Sequence, residues 1–199
     1  LETNNRLLWV GTESGLYKVE KALHKATNFS AKAGPNSTGI SSNVIWVIHE
    51  AKDGKLWLGT SKGLNVFDPK TEKVKRFDKR NGLASNMVCG ILPDDIGNYW
   101  LSTYNGLSYF DVTNELFRNF YRSDGLSHDE FNRFSFFKDA ESRYYFGGVN
   151  GLNVFRPEDM LVSKYIPPVL LTKFVRSNSQ TDTLIVRQAN LNPNTPLYI

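Results

Sequence analysis

The chain has 199 residues, 40% hydrophobic and 13% aromatic, enough for one large or two small domains with a sizeable core. Its net charge of +4 is mild for a nucleic-acid binder, and no apolar run approaches a membrane span: Val44–Ile48, among the longest, has five residues. The single cysteine, Cys89, excludes an internal disulfide and leaves the redox compartment open, while Leu1 in place of an initiator Met is compatible with a removed leader.

In chain order, the first predicted element is a strand over Leu7–Thr12, with no inner strand before it. It opens the motif Trp9-Val10-Gly11-Thr12-Glu13-Ser14-Gly15-Leu16. The motif returns as Trp57-Leu58-Gly59-Thr60-Ser61-Lys62-Gly63-Leu64. It then loosens to Trp100-Leu101-Ser102-Thr103-Tyr104-Asn105-Gly106-Leu107 and Tyr145-Phe146-Gly147-Gly148-Val149-Asn150-Gly151-Leu152. The second glycines fall at 15, 63, 106 and 151, in steps of 48, 43 and 45 residues. A period in the forties with turn residues in register marks a radial or stacked repeat.

The second repeat is complete. Val44–Glu50 reads as a buried inner strand, a, and Asp53-Gly54 as a hairpin turn. Lys55–Thr60 is strand b, and Lys62-Gly63 a second tight turn. Leu64–Phe67 is strand c, ended by Asp68-Pro69. Val74–Phe77 is a short charged outer strand, d. Four antiparallel strands in about 43 residues make one propeller blade. The basic residues Lys70, Lys73, Lys75, Arg76, Lys79 and Arg80 fall around this outer strand, where lysines discourage edge pairing. A phosphate-attracting patch is the alternative.

The third repeat keeps the frame through Gly97-Asn98, Asn105-Gly106 and a strand d over Leu116–Tyr121; the fourth ends strand c at Phe155-Arg156-Pro157. The linkers between blades recur as Gly39-Ile40-Ser41-Ser42-Asn43 and Gly82-Leu83-Ala84-Ser85-Asn86, with a longer version at Gly125–Asn132. In a propeller these d-to-a linkers gather around the mouth of the central channel. After Pro157 the pattern stops. Ile166-Pro167-Pro168 reads as a stiff linker, with Val169–Val175 and Thr183–Val186 as strands of a second β domain. In the alternative, Val169–Val175 closes the last blade. Three and a half blades are too few to close a ring, so the chain is expected to need further blades.

Trp57-Leu58-Gly59-Thr60-Ser61-Lys62-Gly63-Leu64-Asn65-Val66-Phe67, preceded by Ser42-Asn43-Val44 and Asp53-Gly54, resembles the two-component regulator propeller repeat of the periplasmic sensor region of bacterial hybrid histidine kinases. Glu130-Phe131-Asn132 through Phe155-Arg156-Pro157 resembles that region's final repeat, and Ile166-Pro167-Pro168-Val169 the entry to its immunoglobulin-like domain. The resemblance implies an all-β fold, a partial β-propeller of four-stranded antiparallel blades over 1–165 followed by the start of an immunoglobulin-like β-sandwich over 166–199. It implies a periplasmic, non-catalytic sensor fragment that recognises an oligosaccharide and passes the signal to a transmembrane kinase through the segment 156–168. Its expected partners are the remaining blades and, through the parent ectodomain, a second copy; no cofactor, nucleic acid or direct membrane insertion is implied.

Catalytic constellations are sparse. His24, His49 and His128 lack metal-ligand spacing, and Asp94-Asp95 and Asp129-Glu130 are adjacent carboxylates better suited to turns than to flanking a sugar. A propeller lyase or glycosidase, or a protein-interaction propeller, is the alternative function. Trp9, Trp57 and Trp100 hold equivalent positions, which predicts packing between blades. Trp46, whose counterpart is Cys89, is either a core aromatic or a platform for a sugar face. Asn43 and Asn86 recur in register and are expected to bond neighbouring backbone. His128, Asn132 and Arg133 are read as breaking register and, with Trp46, form the candidate ligand-binding set.

Overall fold

A computed structural model describes residues 1–3, 7–31, 39–161, 169–171 and 189–191. The first sheet is β1 (Leu8–Gly11), β2 (Leu16–Glu20) and β3 (Lys25–Phe29), in that order. The second is β4 (Ile45–Glu50), β5 (Leu56–Thr60), β6 (Gly63–Phe67) and β7 (Val74–Phe77). The third repeats it with β8 (Val88–Pro93), β9 (Tyr99–Thr103), β10 (Leu107–Asp111) and β11 (Leu116–Phe120). The fourth holds β12 (Phe131–Lys138), β13 (Tyr144–Gly148) and β14 (Gly151–Phe155). All pairings are antiparallel between chain neighbours, so each sheet is a meander of strands a to d. The inner strands β4, β8 and β12 neighbour one another, which gives the fan its axis.

The first blade does not begin at strand b as expected. Glu2 bridges Leu8, and Thr3 N donates to Leu7 O at 2.9 Å. In blade 2, Glu50 likewise faces Leu56 and Ala51 N donates to Lys55 O at 2.9 Å. Leu1–Thr3 therefore occupy the end of strand a, a position that only pairing reveals.

The aromatic of each motif is the wedge between blades. Trp9, Trp57 and Trp100 are 2%, 5% and 0% exposed. Each meets a phenylalanine at or next to the end of strand c of the following blade: Trp9 to Phe67 at 5.7 Å, Trp57 to Phe110 at 5.8 Å and Trp100 to Phe155 at 4.8 Å between ring centroids. Trp57 also stacks on Tyr99 at 3.8 Å. Burying a ring of this size contributes about 2–3 kcal/mol, with about 1 kcal/mol more from aromatic pairing.

The small residue two places after the tryptophan makes room for the inner strands. A Cβ on Gly59 would lie 2.3 Å from Val47 Cγ1. Blade 3 reverses the volumes, with Ser102 on strand b facing Gly90 on strand a. The turn glycine differs, being fixed by conformation: Gly63 has φ +113° and a Cβ there would lie 2.3 Å from Phe77 O. Its N–H donates to Asn86 O at 2.6 Å, and Gly15 and Gly106 reach Asn43 O and Asp129 O in the same way, tying each blade to the next linker.

A short helix, α1 (Pro157–Leu161), follows β14. The chain divides into two compact units, Leu1–Asp159 and Met160–Ile199. In the second, β15 (Val169–Leu171) pairs antiparallel with β16 (Ala189–Leu191). The predicted linker Ile166-Pro167-Pro168 and strand Thr183–Val186 lie outside the described residues, as does most of the expected immunoglobulin-like segment.

Gly59→Ser is expected to destabilise the protein by about 1–3 kcal/mol through overpacking. Because Val47 is the nearest obstructing side chain, with Val88 Cγ1 next at 3.0 Å, Gly59→Ser with Val47→Ala is expected to lose less than the sum of the single changes in urea titration; strict additivity would contradict the contact. His49 lies edge-on to Tyr99 at 5.5 Å, and burial lowers its pKa from the usual histidine value. The unfolded chain binds that proton more readily. The stability linked to His49 is thus present above a pH of about 6.5 and lost as pH falls through that value toward the folded pKa. The urea midpoint should fall between pH 8 and about 5.5, and fall less in His49→Gln; equal falls would contradict the assignment.

Candidate functional site

In a meander the b–c turns and the d–a linkers lie at the same end of every blade, so linkers 39–44, 82–87 and 125–130 share one face. Each is fixed by the same bonds. A buried polar residue on strand c accepts a linker N–H: Ser41 N donates to Asn65 Oδ1 at 2.7 Å, Ala84 N to Ser108 Oγ at 3.1 Å and Ser127 N to Asn153 Oδ1 at 2.8 Å. Asn43, Asn86 and Asp129 each accept a backbone N–H through Oδ1, from Ala31, Lys79 and Arg122 at 2.7, 2.8 and 2.6 Å. The recurring asparagines bond backbone, as their register predicts.

His128 does not break register. Its Nδ1 accepts from Glu130 N at 3.0 Å, as Ser42 Oγ accepts from Val44 N at 3.0 Å and Ser85 Oγ from Met87 N at 3.3 Å. The side chain types hide the equivalence, but the turn is the same. Asn132 is exposed and its Nδ2 donates to Gly148 O at 3.2 Å.

Trp46 owes its position to a β-bulge. The β4–β5 register shifts between Ile45 and Val47, which leaves Trp46 as the extra residue. The β8–β9 register shifts between Val88 and Gly90, around Cys89. In β12 the irregularity widens to the stretch between Phe131 and Phe136, with Phe134 at φ +63°. Bulges re-aim side chains out of the ladder. Here they bring two of the predicted residues together: the Arg133 guanidinium lies 5.0 Å from the centroid of the Trp46 ring. Tyr104, from the b–c turn of blade 3, completes the group, its ring 5.9 Å from Trp46 and inclined by 15°. Three blades thus supply two near-parallel aromatic rings and a cation. Trp46 and Tyr104 are half-buried and Arg133 is exposed. Tyr104 stands where the other repeats carry Glu13, Ser61 and Val149, a contrast the sequence displayed but the motif pattern discounted.

This arrangement suits binding. Aromatic faces accept the C–H faces of a sugar ring, and an arginine offers several donors in a fixed plane. It does not suit nucleophilic chemistry at Cys89, whose thiol burial pushes up to about 12, outweighing the lowering effect of Arg133. Among the described residues no group of His, Cys, Asp or Glu is placed to hold a metal ion.

The opposite face carries a cavity of about 990 Å³ between blades 2 and 3, floored by Trp57, Tyr99 and Phe110. Two of its carboxylates, Asp94 and Asp95, are committed. Asp94 accepts from Ile96 N, Asn98 N and the Tyr109 hydroxyl, and Asp95 pairs with Lys138 at 2.5 Å. Asp94-Asp95 is a turn and an inter-blade brace. Asp129-Glu130 sits in a linker turn.

Residues 39–62 match the family described as Two component regulator propeller. No curated protein matches significantly. Among solved structures, the chain is similar to the extracellular domain assigned to the hybrid two component system BT3049 of B. thetaiotaomicron. Identity there is 24% and the TM-score 0.74, over 94% of this chain and 26% of that one. A second such domain, BT4673 of the same organism, matches with 20% identity and a TM-score of 0.68, over 80% of this chain and 22% of that one. A catalytically inactive virginiamycin B lyase from Staphylococcus aureus matches more distantly, with 10% identity and a TM-score of 0.56, over 78% of this chain and 54% of that one. The chain spans about a quarter of the length of the two sensor domains. It carries a two-component regulator propeller repeat and shares the β-propeller fold of hybrid two-component sensor ectodomains.

Proposed function

We propose that the chain is part of the periplasmic sensor region of a hybrid two-component system, binding an oligosaccharide on its linker face and passing the signal to a transmembrane kinase. The observation that carries the proposal is the Trp46–Tyr104–Arg133 group, built from three blades by two bulged inner strands and one b–c turn. A ligand held there contacts three blades at once, so its binding energy depends on their relative placement. The repeat match and the sensor ectodomains of like fold support the setting.

The reading includes further blades. Leu152 on β14 is 57% exposed, whereas its counterparts Leu64 and Leu107 are 0% exposed. Val154 is 49% exposed beside it. An apolar strand of this kind is suited to covering by more of the same propeller. Dimerisation of the parent ectodomain and a following immunoglobulin-like domain belong to the same proposal. A lyase or glycosidase would need converging acid–base groups, and Asp94 and Asp95 are occupied in structural bonds.

Calorimetry on the full ectodomain with a panel of oligosaccharides is the test. Trp46→Ala and Arg133→Ala are each expected to weaken binding about five- to tenfold, the loss of one partly desolvated ring or cation contact. Unchanged affinity in both variants would refute the site, and turnover of the saccharide would refute the non-catalytic reading.

A further inference from the structure

A second concavity, of about 670 Å³, lies on the linker face, at the outer part of blade 2 and its two flanking linkers. It is built from Lys62 on the b–c turn, Arg76 on β7, Arg80 on the following linker, and the neutral side chains of Ser41, Asn81 and Asn86, with Asp78 as its one carboxylate. We propose that this pocket is an oxyanion site, taking a sulfate or carboxylate group of an anionic saccharide. The saccharide part rests on the sensor reading; the anion part rests on the pocket alone.

The pocket is rich in donors and poor in acceptors. Asp78 is engaged by Arg80, whose guanidinium reaches its Oδ2 at 2.6 Å while Arg80 N donates to its Oδ1 at 2.8 Å. Asn86 Oδ1 is taken by Lys79 N at 2.8 Å and Asn81 Oδ1 by Asp78 N at 3.0 Å. What each asparagine has to spare is its NH2 group, a donor. Lys62 forms no ion pair among the described residues. The Arg76 guanidinium is oriented by carbonyl oxygens, with Nε to Gly39 O at 2.8 Å and Nη2 to Ile40 O at 3.3 Å. Three cations against one paired carboxylate, beside two amide donors, match the several lone pairs of an oxyanion.

The repeat itself argues that the cations are not structural. The corresponding positions one blade on are Asn105, Asn119 and Ser123 in place of Lys62, Arg76 and Arg80, with Asp129 in place of Asn86. Asn119 performs the pinning role of Arg76 without charge, its Nδ2 donating to Gly82 O at 2.8 Å. The same framework therefore forms in the next blade without a cation at any of these positions, its acceptors there being Asp124 and Asp129.

The experiment takes the full protein and three hexasaccharides, one sulfated, one of uronic acid and one neutral, and compares wild type with the double variant Lys62→Asn/Arg80→Ser. These are the residues of the next blade, so the melting temperature is expected to hold. At low ionic strength the anionic hexasaccharides should bind wild type, with affinity falling as salt rises, and the double variant should bind them about tenfold or more weakly. The neutral one should be indifferent to the change, and the stronger of the two anionic ligands identifies the group recognised. Wild-type affinity in the double variant, or no binding of either anionic ligand, would overturn the proposal. Arg133→Ala separates this site from the Trp46 site. If it abolishes binding while the double variant does not, the anion pocket falls and the sensor reading stands. If only the double variant loses affinity, the pocket stands alone.

Discussion

The fold depends on one repeated contact, a strand-b tryptophan inserted against the strand-c phenylalanine of the following blade. Trp9, Trp57 and Trp100 all make it, and each is buried almost completely. A two-faced sheet of four short strands cannot bury its own apolar surface. The wedge solves this by making each blade the cover of its neighbour, which also sets the angle between them. Between strands a and b the volume is shared out differently in each blade, Gly59 facing Val47 in one and Ser102 facing Gly90 in the next.

Beside the core positions Ile45, Val47 and Val88, the bulged positions of the inner strands vary from blade to blade. Each has a bulge, and each bulge holds a different residue: Trp46, Cys89, and the stretch containing Arg133. The scaffold does not demand these side chains, so chemistry can be placed there at low cost in stability. The same division explains the cationic pocket: its framework bonds recur without cations in the next blade.

What the sequence revealed follows from where its signals are local. The Trp-Gly pattern, the Asp-Gly and Asn-Gly turns and the charged outer strand located the elements of blade 2 closely, with Val74–Phe77 matched to the residue. The end of strand a in blade 1 was hidden, since Leu1–Thr3 have no signature apart from the pairing of Glu2 with Leu8. His128 passed for a departure because a histidine nitrogen replaces a serine oxygen in the same turn. Trp46 and Arg133 were legible as candidates, but their contact and the part of Tyr104 depend on bulges, which leave no mark in composition. In sequence the basic run is consistent with edge protection or with an anion-attracting patch. Lys75 fits the first, pairing with Glu115, whereas Arg76 and Arg80 turn back toward the linker and join Lys62.

The central claim is that ligand recognition gathers at the bulged, linker-side ends of several inner strands at once. Hydrogen–deuterium exchange on the full ectodomain, with and without a bound oligosaccharide, tests it most directly. The account predicts simultaneous protection of peptides containing Trp46, Tyr104 and Arg133, with the a–b turns around Asp53 and Asp95 unchanged. Protection confined to those a–b turns, or to one blade alone, would contradict it.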